Sequence, residues 1–465
     1  MQIAVSSARL GLVSARPAKS PQRTPRLSPE TRREQLLDAT NAVLVDTGFG
    51  DVTVEAIAQA AGVTRPVIYD TFGDLESLLL ALIDRADHRV TGKLIEILGD
   101  GVPTDPNPDH FLIGSFAAFL AAVREDPSSW RLVLMPPAGN SQELNFRLQR
   151  ARGELAGRLR ALLDWGIAAR GGPRGLDHEL TARLLVAVGE DAARLMLAHP
   201  RRFNPERLAG ATVDLVAVFP PGADTLKMRD PPERPEIVAP PRLEEILACP
   251  PPLEPRRRVP QAERREQLLD VALALVAEDG FAALSMEAIA RRAGVNRVVI
   301  YRSFANLAVL VTALMHREDT RVRSTLAGLI PQNPAGHLPD EVLYDAIHHL
   351  LAAVCAQPLT WRLALLRPES APRLLQRIVN RRRSALAKRI EPLVAYVIYD
   401  LDANPPADQV EAIARLLLTI GEEAGRLALT EPDAFPPSRL LRSIWRFLEV
   451  ITKPGGPLPS DGALG

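Results

Sequence analysis

Residues 64–70 read Thr-Arg-Pro-Val-Ile-Tyr-Asp, and residues 296–302 read Asn-Arg-Val-Val-Ile-Tyr-Arg. A guanidinium, a phenol and a hydroxyl or amide gathered on a short segment can donate hydrogen bonds, but none is a nucleophile beside a base. The chemistry on offer is recognition rather than bond breaking. Elsewhere the reactive residue types are dispersed. Cys249 and Cys355 cannot build a disulfide framework, and neither lies at a metal-ligand spacing from another cysteine or histidine. His348 and His349 are adjacent, so on a helix they leave in different directions and do not share a metal. No nucleophile elbow, phosphate-cradling glycine loop or histidine–carboxylate cluster is present. The sequence assigns no catalytic residue, no metal site and no cofactor, and an enzyme is not expected.

The elements that must position these groups follow from the flanking residues. Leu36, Ala39 and Val43 recur at helical spacing in a first helix from Pro29 to Thr47, and Gly48 is placed to end it. Thr53 is a cap for a second helix, Gly62 makes a turn, and Thr64 caps a third helix in which Ile68 and Phe72 can face the core. Asp74 caps a fourth helix running from Leu75 towards Val90. Helix, glycine turn and short polar helix together make a helix-turn-helix.

The same signals return 232 residues later: Leu268, Val271 and Leu275, then Gly280, Ser285, Gly294, Asn296 and Asn306. About half of residues 32–75 are identical to their counterparts at that offset. The repeat continues beyond the helix-turn-helix. Trp130-Arg-Leu returns as Trp361-Arg-Leu, residues 188–195 as residues 420–427, and Phe203 as Phe435. The unit of about 190 residues is duplicated and helical throughout, so the fold class is all-α, with two tandem units.

A chain of 465 residues is too long for one core. With 46% hydrophobic and 24% charged residues and no net charge, any footprint for nucleic acid must be local. The longest apolar run, residues 111–123, is too short to span a bilayer and reads as a buried helix, so no membrane is expected and the cytoplasm is the simplest compartment. The expected domains are a basic, disordered arm (1–28), a helix-turn-helix (29–75), a helical body (76–219), a proline-rich linker (220–260), a second helix-turn-helix (261–307), a second body (308–453) and a disordered tail (454–465). The arm is either a solvated tail or a strand of basic charge lying on DNA. The linker holds twelve of the 41 prolines. Extended at about 3.1 Å per residue it could join the copies in almost any arrangement, though residues 242–248 could form a turn or two of helix.

Residues 31–82 and 263–314, with their Ala-Gly-Val turn, Val-Ile-Tyr and following phenylalanine, resemble the tetracycline-repressor (TetR) family of bacterial transcription regulators twice over. The resemblance implies a three-helix DNA-binding head, a connecting helix and a larger helical body with a ligand pocket, with bodies paired through their last two long helices. It also implies roles for single residues. Arg65, Pro66 and Asp70 would meet base edges in the first copy, with Thr53, Thr64 and Tyr69 at phosphate. Arg297, Val298 and Arg302 would meet bases in the second, with Ser285, Asn296 and Tyr301 at the backbone. The chemistry suits this, since arginine takes guanine O6 and N7 as a pair and an apolar side chain touches the thymine methyl.

Two departures stand out. Leu75 and Leu307 occupy the position where many members place a phosphate-binding lysine. The heads also differ in charge: residues 32–75 carry three arginines against seven acids, and residues 264–307 six against five. The second head should therefore bind DNA more strongly. Glu190/Arg194 and Glu422/Arg426, spaced i, i+4, are either surface ion pairs or part of the seam between bodies. Trp130 and Trp361 are either core or pocket wall.

The expected function is a ligand-responsive regulator, acting as a repressor. Its partners are a double-stranded DNA operator and a small-molecule effector, with the copies pairing inside one chain rather than as a homodimer. Its heads would sit about 34–36 Å apart on DNA. The alternative is a small-molecule-binding or interaction protein of the same fold in which one or both heads no longer bind DNA.

Overall fold

The computed structural model describes residues 27–47, 52–99, 101, 103, 105–135, 142–172, 175–218, 229–248, 260–329, 337–365, 373–399 and 407–451. The expected tail, almost all of the expected arm, Gly48 and Cys249 lie outside the described residues. Among those described there are helices and turns but no strand, so the chain is all-α.

The first copy supplies α1 (Pro29–Thr47), α2 (Val54–Ala61), α3 (Arg65–Phe72), α4 (Leu75–Leu98), α5 (Pro108–Glu125), α6 (Pro127–Leu134), α7 (Gln142–Arg170), α8 (His178–Ala198) and α9 (Pro205–Val218). A short α10 (Leu243–Ala248) lies between the copies. The second supplies α11 (Gln261–Asp279), α12 (Met286–Arg292), α13 (Arg297–Ser303), α14 (Leu307–Ala327), α15 (Pro339–Ala356), α16 (Pro358–Ala364), α17 (Arg373–Tyr399), α18 (Ala407–Thr430) and α19 (Pro437–Ile451). Each helix of the first copy thus has its mate in the second. The fourth helix runs on to Leu98, past the expected Val90, because Leu94 and Ile97 continue its apolar face.

Two units are distinguishable, Met1–Leu82 and Ile83–Gly465. In the first, α1, α2 and α3 close over Leu36, Ile57, Ile68 and Leu78, all fully buried. Gly62 adopts φ +65°, which lets Val63 N–H reach back to Ala58 O at 3.0 Å and end α2. The second helix-turn-helix repeats the device with Gly294 at φ +62° and Val295 N–H to Ala290 O at 3.0 Å. Its core of Leu268, Ile289, Ile300 and Leu310 is continuous with Leu363 of α16 and Val379 of α17.

Within Ile83–Gly465 the bodies share one core. α7 packs on α8 and α17 on α18, while α18 crosses both α8 and α9 of the first copy. Ala192, Ala193 and Ala211 meet Ala412, Ile413 and Ala414 in that core, and side chains this small let the helices approach closely. Trp130 and Trp361 are both buried.

The described part of the linker corrects one expectation. α10 forms where a turn or two of helix was expected, but residues 229–242 are not free to span any arrangement. Arg229 pairs with Asp340 and Arg234 with both oxygens of Asp345, at 2.6 and 2.9 Å. His348 Nε2 donates to Pro235 O at 2.9 Å, and Trp445 Nε1 donates to Arg229 O at 3.0 Å. Arg229 and Arg234 find acids on α15 and Arg242 finds Asp433, so this stretch is laid against the second body.

Candidate nucleic-acid interface and effector cavity

The short helices α3 and α13 owe their orientation to one buried residue each. Ile68 and Ile300 are fully buried, which turns the opposite face outward. On that face Arg65, Pro66, Tyr69 and Asp70 of α3, and Arg297, Val298, Tyr301 and Arg302 of α13, are all exposed. Tyr69, Val298 and Tyr301 are 48%, 56% and 49% exposed. An exposed arginine beside an aromatic ring on the outer face of each helix suits a contact surface.

The caps are not equivalent. Thr53 Oγ1 accepts from Ala56 N–H at 3.2 Å and Ser285 Oγ from Ala288 N–H at 3.0 Å, starting α2 and α12 as expected. Asn296 Oδ1 accepts from Val298 N–H at 3.0 Å. Thr64 occupies the matching position, but its hydroxyl makes no capping hydrogen bond. At Pro66, in the first turn of α3, there is no amide hydrogen for it to accept. Asp74 caps α4 by accepting from Ser77 N–H at 2.7 Å, which holds its carboxyl below the ordinary range.

Arg65 and Arg297 are each held by a glutamate one helix back. Arg65 Nη1 lies 2.7 Å from Glu55 Oε1, and Arg297 Nη2 3.1 Å from Glu287 Oε1. All four side chains are about half exposed or more, so these ion pairs contribute little and can yield to a base or phosphate. Sequence reasoning passed over these glutamates, although their common offset of 232 was visible. It also passed over Arg33 stacked on Phe72 at 4.5 Å and Arg265 on Phe304 at 4.1 Å, which brace α1 and α11 against α3 and α13.

A cavity of about 600 Å³ lies in Ile83–Gly465. Its walls come from α4, α5, α7 and α8 of the first copy and from α15, α17, α18 and α19 of the second. Trp130 is both core and wall, standing edge-on to Phe119 at 5.2 Å, and Trp165 meets Phe111 at 5.8 Å. The helix over residues 111–123, expected to be buried, is only partly so, and Phe111, Phe116 and Phe119 face this space. The i, i+4 pairs are neither on the surface nor simple seam contacts. Glu190 is closed between Arg152 of α7 at 2.6 Å and Arg194 at 3.0 Å, and Glu422 between Arg383 of α17 at 3.1 Å and Arg426 at 3.7 Å. Gly189 and Gly421 face Phe119 and Leu350, inside their own bodies.

Among the described residues no group of three or more His, Cys, Asp or Glu is placed to hold a metal, and no single helix is long and apolar enough to cross a membrane. The His348 and His349 rings are 5.9 Å apart and nearly perpendicular.

The family description for bacterial regulatory proteins of the tetR family matches residues 36–82 and again residues 268–314. Among curated relatives, the HTH-type transcriptional activator FasR of Mycolicibacterium smegmatis is 27% identical over 201 residues, 43% of this chain and 87% of FasR. The HTH-type transcriptional repressor KstR of Rhodococcus jostii is 33% identical over 99 residues, 21% of this chain and 44% of KstR. Among solved structures, a TetR-like transcriptional regulator from Rhodococcus sp. RHA1 is 26% identical, covering 41% of this chain and 96% of its own, with a TM-score of 0.33. The chain belongs to the tetR family of bacterial regulatory proteins and carries that family's DNA-binding domain twice.

Proposed function

We propose that the protein is a ligand-responsive transcription repressor in which the two copies pair within one chain and present two different recognition helices to an operator with unlike half-sites. The observation that carries this reading is a reciprocal contact. Arg207 Nη2 at the start of α9 lies 3.4 Å from Glu411 Oε2 on α18, and Arg439 Nη2 at the start of α19 lies 2.9 Å from Glu179 Oε2 on α8. Residues 207 and 439, like 179 and 411, are 232 apart. A twofold dimer interface has this property, that residue i meets j while j meets i. Here both halves of it are satisfied inside one chain. Fusion makes the pairing intramolecular, at an effective concentration that can reach about millimolar.

On this reading Arg65, Pro66 and Asp70 face bases in one half-site, and Arg297, Val298 and Arg302 in the other. Thr53, Thr64 and Tyr69, and Ser285, Asn296 and Tyr301, hold the flanking phosphates. The open hydroxyl of Thr64 supports its place in that set. An effector in the cavity favours a conformation with the wrong head spacing and so releases DNA.

Footprinting on an operator selected from genomic fragments tests this. Arg65→Ala and Arg297→Ala should each weaken protection of one half-site by about tenfold to a hundredfold. Unchanged protection in both variants would remove the recognition-helix assignment. Two chains on one duplex, by mass in solution, would remove the intramolecular pairing. FasR is an activator and KstR a repressor, so transcription in vitro with and without the protein decides the sign.

A further inference from the structure

The cavity is not confined to one body. Phe119, Leu155 and Leu159 line it from the first copy, and Leu417, Ile420 and Phe447 from the second. A ligand filling this space touches both halves of the pairing seam at once. The charged groups on the wall are mostly spent on one another: Arg152 pairs with Glu190 at 2.6 Å, and Arg170 with Asp109 at 2.8 Å. A strongly acidic ligand would have to displace the partner of Arg152 or Arg170, or that of Arg158, the third cation on the wall, to find a counter-charge.

Asp87 of α4 differs. It lines the same cavity, is partly buried, and makes no hydrogen bond or ion pair among the described residues. Burial pushes its carboxyl above the ordinary range; His88 opposes this, while the carboxylates of Asp84 and Glu154 add to it. A partly desolvated carboxylate without a protein donor gains from a donor on a ligand.

We propose that one elongated, lipophilic molecule with a single hydrogen-bond-donating end, a hydroxyl or an amine, occupies this cavity in each chain, with its apolar body bridging the two copies and its polar end at Asp87. This rests on the effector reading above and specifies its ligand. Because the apolar walls belong to both copies, such a ligand couples directly to the seam between them.

The test is calorimetric titration of the full chain with straight-chain primary alcohols, primary amines and carboxylic acids of increasing length. The expected result is one molecule per chain, affinity that rises with length, and alcohols and amines binding about tenfold tighter than acids of equal length. Leu159→Trp in the first copy and Leu417→Trp in the second should each weaken binding about tenfold or more. Ile420→Phe is the smaller intrusion if Leu417→Trp does not fold. Asp87→Leu should abolish the preference over acids while keeping the dependence on length, a change that mere loss of packing would not produce.

Two molecules per chain, acids preferred, no binding by any of the series, or binding indifferent to the second-copy variants would each overturn the proposal. Operator affinity is measured on the same samples. Binding as expected with unchanged operator affinity would sink the effector reading and leave the cavity assignment standing; loss of binding with ordinary operator protection would do the reverse.

Discussion

Arg383 of the second copy holds Asp191 of the first through both carboxylate oxygens, Nη1 to Oδ1 and Nη2 to Oδ2, at 3.0 Å each. Thr419 Oγ1 donates to the same carboxylate at 2.8 Å. The threonine of this contact has no equivalent in the first copy. Ala187 stands in the first copy where Thr419 stands in the second, and Glu423, the counterpart of Asp191, pairs with Arg426 in its own copy. Two first copies pairing alike would set Asp191 against Ala187, so the seam has diverged to suit unlike halves.

Asp191→Ala should therefore destabilise the paired bodies by about 3 kcal/mol, because Arg383, itself largely buried, loses the carboxylate that two of its nitrogens hold. Chemical denaturation of the two proteins side by side measures this. Burial opposes ionisation of Asp191, but Arg383, then Arg194 and Thr419, outweigh it and hold the carboxyl below its ordinary value. With the folded value depressed, its contribution is fully present above the unfolded value of about 4 and is lost as pH falls through the folded one. Asp191→Asn should accordingly flatten the acid limb of the stability profile; an unchanged acid limb would show that the carboxylate is not the group titrating there.

The two heads should differ in their response to salt. Asp70 is exposed at the position that Arg302 fills in the second copy. Replacing Asp70 with Arg adds a cation to α3, so the dependence of first half-site affinity on salt should steepen by about one ion released. Fluorescence anisotropy over a salt series reads the slope. No change in slope would place Asp70 away from DNA.

Gly294→Ala should cost about 1 kcal/mol through backbone strain alone. Its φ is +62°, and a Cβ there would meet nothing within 4 Å. Gly62→Ala, at φ +65° with the same open space, should cost a similar amount. Thermal unfolding of both variants checks the pair, and a large loss in only one would mean that the turns are not equivalent.

Cys355 should be inert in the folded protein. Burial alone pushes its thiol up to about 11, so near pH 8 almost none is thiolate. In a Cys249→Ser background, alkylation at pH 8 should proceed only as the protein unfolds in denaturant. Rapid labelling of the native protein would show that the α15 environment opens readily.

Much of this protein is local and was legible in the sequence. The helix spacing of Leu36 and Val43, the caps at Thr53, Ser285, Asn306 and Asp74, and the turns at Gly62 and Gly294 depend on residues within a few positions of one another. The duplication needed only the chain compared with itself at an offset of 232. The family followed from those same short-range features. What tertiary structure decided involves residues far apart in the chain. Asp191 and Arg383 are separated by 192 positions, and Arg439 and Glu179 by 260. Nothing in the neighbours of a buried acid says which distant arginine will reach it. The cavity is of the same kind, since Leu159 and Leu417 are ordinary core leucines by their spacing and become facing walls only when two bodies close on a space they do not fill. The linker shows the limit most clearly: its prolines argued for reach, whereas Asp340 and Asp345 lay it down along α15.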